Sequence, residues 1–284
     1  MIKADEVRDK FDISPESAVN VFDLCGERFE PRIIIRFTDI KSMEGLYLRQ
    51  TPPEIWLGDR PLVRRVFNCA HELGHHVFGH GSTVDELTAE GESGRSFEPN
   101  EFLVDTFAGF LLMPRIAVLN AFARRAWKIE DANPQQFFVV SCSLGVGFET
   151  LASHSFFSLG LIGEAAYRQL INKPGLPAIR KVMLGDLAPA RLLAVDTHQT
   201  LQSIDTEVGT GVLLPMGTVA EGKVLGDGVD TPRGRLFTAA APGTARVFCP
   251  DGSWAAFIRV MQDKYHGLSQ YRHFPREEGD EDDE

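Results

Sequence analysis

Apolar residues recur at helical spacing over residues 5–29 (Val7, Phe11, Ala18, Val21, Phe22, Leu24), which predicts a helix. Three short runs follow, "RIIIRF" (32–37), "GLYLR" (45–49) and "EIWLG" (54–58), separated by Gly and Pro, and these predict strands. From Pro61 the spacing changes: Val63, Val66, Ala70, Leu73 and Val77 recur every three or four residues, predicting one helix with an apolar stripe that ends near Gly79. Residues 81–98, "GSTVDELTAEGESGRSFE", are polar and predict a connection without regular structure. Helical spacing resumes in "PNEFLVDTFAGFLLMP", with Pro99 suited to a first turn and Pro114 to a stop. Short helices continue to residue 172, and residues 134–162 read as helix, Gly-containing turn, helix. Beyond about residue 187, runs such as "RLLAV", "GVLLP", "RLFTAA", "ARVF" and "AAFIRVM" between Gly, Pro and Asp predict a small β-rich domain.

The pattern is that of an α+β chain in four parts: 1–118, 119–186, 187–270 and an acidic disordered tail at 271–284. Composition adds little to it, because 43% hydrophobic content over 284 residues is ordinary for globular domains. The net charge of −11 is concentrated at the end: "EEGDEDDE" carries seven acidic groups in eight residues, which leaves the body mildly acidic. The N-terminus has no apolar h-region, no run of about 18 apolar residues occurs, and the four cysteines form no CxxC pair. A soluble cytoplasmic protein with reduced thiols, and no membrane partner, is the expectation.

The candidate chemistry lies in "CAHELGHHVFGHG" (69–81), which holds four of the eight histidines. His71 and His75 stand four apart on the predicted helix, so their rings share one face and can share one ion. Glu72 between them completes HExxH, in which the histidines ligate zinc and the glutamate serves as general base towards water. A catalytic zinc takes three protein ligands and keeps a fourth position open. His80 is out of register with HExxHxxGxxH and points about 140° from His75 on a continuing helix. Glu101 is the better third ligand. It begins "NEFLVD", where Asp105 lies one turn on and is placed to accept the free N–H of a ligating histidine. Glu86, Glu90, Glu92 and Glu98 sit in or beside the polar stretch, a poor rigid support. His76 is turned about 100° from its neighbour His75 and cannot reach the same ion; His76, His80 and Tyr47 stand unranked as a second oxyanion donor. "EIWLG" is a candidate edge strand for pairing with an extended substrate.

"RRVFNCAHELGHHVFGHG" together with "NEFLVDTFAGFLLMP" resembles the ImmA/IrrE family of zinc metallopeptidases over roughly residues 15–165. The resemblance implies a gluzincin-like minimal metallopeptidase domain with a helix-turn-helix-like extension. It implies one Zn2+ on His71, His75 and Glu101, with Glu72 as base. It also implies a protein substrate, a helix-turn-helix transcriptional repressor whose cleavage relieves repression of stress or mobile-element genes. The chain opens almost directly on the peptidase region, so such a repressor is expected to be a separate protein. Two other readings compete. Residues 134–162 could read DNA, although "FETLASHSFFSLG" contains no Lys or Arg to neutralise phosphates, and the scaffold could bind zinc as a sensing module without turnover.

Overall fold

The computed structural model describes residues 1–86, 98–172 and 175–275. The N-terminal apolar positions form two helical pieces instead of one: α1 (Ile2–Lys10) and α2 (Val21–Asp23), the latter continuing as a π-helical turn over Leu24–Arg28. Asp12 adopts a φ of 52° directly after α1, and Pro15 follows, so the backbone leaves the helical region before a second cap forms at Asn20. The three predicted strands are β1 (Ile34–Phe37), β2 (Met43–Leu48) and β3 (Glu54–Leu57), each burying alternate residues. α3 (Leu62–Phe78) carries the histidine motif. Gly79, at φ 71°, ends it in the left-handed conformation expected of a glycine cap.

The polar stretch is not wholly irregular, because β4 (Thr83–Glu86) forms within it. Helices α4 (Pro99–Leu112), α5 (Arg115–Ala123), α6 (Pro134–Leu144), α7 (Phe148–Ser153), α8 (Glu164–Asn172) and α9 (Gly175–Leu184) follow. An Asn133/Gln136 capping box starts α6 and Gly145 (φ 70°) ends it; the helix resumed by α7 runs at 103° to it, the predicted helix-turn-helix shape. The strands of the β-rich part are β5 (Leu192–Ala194), β6 (Ser203–Glu207), β7 (Gly211–Leu214), β8 (Val219–Ala220), β9 (Val229–Thr231), β10 (Gly234–Thr238), β11 (Gly243–Phe248), β12 (Ala255–Met261) and β13 (Gly267–Leu268).

Among the described residues the strands form three sheets. The first has the order β13-β1-β3-β2-β4, with β1 and β3 parallel and the other pairs antiparallel. The others are β5-β7-β10-β9 and β6-β12-β11-β8. "EIWLG" therefore forms an interior strand, between β1 and β2, and is not the edge expected for a substrate; on the motif side the edge is β4.

One core runs across residue 118: Leu73, Phe107, Leu112, Val118, Phe137 and Leu151 belong to the same buried cluster, so the peptidase-like part and the helical extension fold together. A second core, including Ile204, Val212, Phe237, Val247 and Ile258, lies within the β-rich part. The two are tied by charge. Asp205 on β6 accepts from Asn20, Arg259 and Arg272, and Asp23 pairs with the same two arginines. Arg272 is buried, so the chain remains packed into the fold past residue 270; residues 276–284 of the expected tail lie outside the described residues. The run Pro99–Ala123 is long and apolar enough to cross a bilayer by length and composition alone. Here Val104, Phe107, Leu111 and Leu112 are buried in the protein core.

Candidate metal centre

Two anchors set α3 under the first sheet. The Glu44 carboxylate on β2 takes hydrogen bonds from Asn68 (2.7 Å), Arg64 (3.0 Å) and Arg60 (3.2 Å), holding the N-terminal half of the helix to the strand. Further along, Tyr47 bonds His76 (Oη to Nδ1, 2.9 Å). Between these anchors the strand must approach the helix closely, and Gly45 allows it: a Cβ there would collide with the Glu72 carboxylate. A register shift in the β2–β4 ladder falls at the same place, between Met43 and Gly45. Gly74 plays the matching part towards α4, since a Cβ at that position would stand 2.9 Å from Val104 Cβ. The two helices thus pack closely enough for α4 side chains to reach across.

The reach is visible in the distances. His71 Nε2 lies 3.3 Å from His75 Nε2, 3.2 Å from Glu101 Oε2 and 2.9 Å from Asp85 Oδ2, and Glu101 Oε1 is 3.7 Å from His75 Nε2. One donor atom from each of His71, His75, Asp85 and Glu101 lies within 4.8 Å of every other. Behind them, Asp105 Oδ1 takes the far side of His71 at Nδ1 (2.8 Å), as the four-residue spacing from Glu101 predicts. His75 Nδ1 faces His80 Nδ1 at 3.0 Å. His80 accordingly stands behind a ligand candidate, where it orients the ring; it does not join the inward-facing donors. His76 is turned away to Tyr47, as the helical angle requires.

Glu72 is fully buried. Its Oε2 meets Thr83 Oγ1 at 3.4 Å, while Oε1 has no hydrogen-bond partner. Burial, reinforced by the charge of Asp85, pushes its carboxyl well above the ordinary carboxylate range. Burial and Asp85 also raise Glu101. At His71 burial lowers the pKa, but the hydrogen bonds to Asp105 and Asp85 outweigh it and carry the ring up to about 10. Burial and then the charge of His71 push His75 down to about 4.

Beside burial, the carboxylates of Glu72, Asp85, Glu101 and Asp105 gather around two imidazoles, an excess of negative charge that a cation would balance. A divalent ion fits the donor set: bonds of about 2.0–2.1 Å in a tetrahedron place donors roughly 3.4 Å apart, close to the spacings found here.

Asp85 is the donor that sequence reasoning missed. It lies in a run read as irregular, and only the pairing of β4 with β2 brings it to the centre. Glu90 and Glu92 lie outside the described residues, and Glu98 is exposed ahead of α4. Of the remaining histidines, His154 is buried and bonds the Met113 carbonyl (3.0 Å), securing the turn that ends "LLMP". Cys69, two residues before His71, is fully buried, in keeping with a small apolar role.

A small mixed sheet over a helix that presents two imidazoles and a buried carboxylate, with acidic donors from a crossing helix, defines a domain of metallopeptidase type. Residues 30–152 match Peptidase_M78, described as an IrrE N-terminal-like domain. The match agrees with the ImmA/IrrE resemblance of the two motifs and implies a protein substrate. No curated protein matches the chain.

Proposed function

We propose that the protein is a zinc-dependent endopeptidase of the HExxH, gluzincin-like type, with the ion on His71, His75 and Glu101 and with Glu72 as general base. The observation that carries this reading is the convergence of three donors from two helices beside a buried carboxylate whose Oε1 is unpartnered. When bound, zinc supplies Lewis-acid polarisation of the scissile carbonyl and activation of water. Glu72 Oε1 accepts the proton of the attacking water and then delivers it to the leaving amine. Asp105 and His80 hold the two imidazoles with Nε2 inward.

A helix-turn-helix repressor is the substrate that the ImmA/IrrE resemblance supports, with relief of repression of stress or mobile-element genes as the consequence. Four free cysteines support a reducing, cytoplasmic setting. The test is metal analysis of the purified protein combined with incubation against repressors encoded beside its gene. Glu72→Gln should retain zinc and lose cleavage, and Glu101→Ala should lose zinc. Cleavage at the parental rate by Glu72→Gln would remove the assigned base, and unchanged zinc content in Glu101→Ala would remove the third ligand.

A further inference from the structure

Strand β4 touches the centre twice. Thr83 and Asp85, two residues apart, project to the same face, Thr83 onto the Glu72 carboxylate (3.4 Å) and Asp85 onto His71 Nε2 (2.9 Å), while Val84 between them is exposed. Asp85 is the nearest of all the donors to His71 Nε2, nearer than Glu101 at 3.2 Å. With it the donor atoms number four, the complement of a closed tetrahedral site; a hydrolytic site uses three and leaves one position free. β4 also takes the outer edge of β2, the strand whose inner face covers Glu72 and His76. An extended peptide paired to that edge in place of β4 would lie beside the two groups that β4 touches, the Glu72 carboxylate and His71 Nε2.

We propose that Asp85 is a fourth protein ligand and that β4 acts as an internal pseudosubstrate strand, so that the resting protein holds a metal ion in a closed, latent site. The inference rests on the metal centre proposed above. Exchange of β4 for a substrate strand on β2 withdraws Asp85 from the ion and Thr83 from the base together. β4 is only four residues long and, among the described residues, is paired on one side only; of the two edge strands of this sheet it is the one that touches the centre.

The test uses the full chain loaded with Co2+, whose visible bands report coordination, and acetohydroxamate as a small chelating probe, on the parent, Asp85→Ala and Asp85→Asn. Far-UV circular dichroism and the thermal midpoint check folding, and Asp85→Asn keeps the side-chain size should the alanine variant fold poorly. All three should bind one ion per chain. The parent spectrum should be insensitive to acetohydroxamate, and the variants should bind the probe at least tenfold more tightly and hold Co2+ more weakly, three protein donors remaining where four stood. Equal acetohydroxamate affinity in the parent and both variants would overturn the proposal while leaving the metal centre intact. A parent that binds neither Co2+ nor Zn2+ would overturn the metal centre itself, and this inference with it.

Discussion

Replacing Asp105 separates what a ligating imidazole contributes from what the group behind it contributes. Asp105 Oδ1, 2.8 Å from His71 Nδ1, holds the tautomer that leaves Nε2 free to face the other donors. Removing such a partner lowers metal affinity by about 10–100-fold. The Asp105 side chain is 59% exposed, so water already screens much of its charge. The lower end of that range therefore applies to Asp105→Ala: about tenfold, or about 1.4 kcal/mol. Asp105→Asn keeps an oxygen able to accept the Nδ1–H and loses only the charge, which places it between the two, at about threefold. The assay is competition for Zn2+ against a chromophoric chelator at fixed pH. Binding by Asp105→Ala within twofold of the parent, or an asparagine variant weaker than the alanine one, would refute the reasoning.

Gly45→Ala drives a methyl group into the Glu72 carboxylate, so zinc should stay bound while cleavage of the cognate substrate drops about 100-fold, the order expected when a catalytic group is misplaced by about 1 Å; metal content and kcat measured on one sample check it, and unchanged kcat counts against Glu72 as base. Asp205→Ala leaves Arg259 and Arg272 with Asp23 as their remaining acidic partner, and because that partner persists the loss should sit near the low end for a broken buried pair, about 3 kcal/mol in urea unfolding. The same carboxylate sets a pH dependence. Burial alone would raise its pKa, but Arg272 and Arg259 hold it well below the ordinary range, so its stabilisation is complete above the unfolded value of about 3.9 and is lost as pH falls towards the folded one. The urea midpoint of the parent should therefore decline below about pH 4, and more steeply than that of Asp205→Asn.

The elements with long apolar periodicity were legible: α3 and α4 stand where their stripes predict, and four-residue spacing put His71 with His75 and Glu101 with Asp105 on faces that the fold brings together. What stayed hidden depends on pairing between distant segments. Asp85 sits in a four-residue strand without apolar alternation, and it reaches the centre only because β2, some forty residues earlier, offers an edge. Whether a strand is an edge is a property of sheet order, so nothing within "EIWLG" could show that β3 would be enclosed. Gly45 is the first residue of the predicted strand "GLYLR" and had no part assigned to it; its purpose becomes clear only once Glu72 is seen above it. The N-terminal helix was overextended because periodicity across Asp12 and Pro15 continued after the backbone could not.

The two-residue pairing of β13 with β1 stitches the distal part of the chain onto the sheet that roofs the histidine helix. Cutting the protein between α9 and β5 would unzip that seam and bare a hydrogen-bonding margin beside Phe37 and the core beneath it. The part that holds the histidine helix is thus finished by the β-rich part, and an excised N-terminal fragment should be sticky and short-lived.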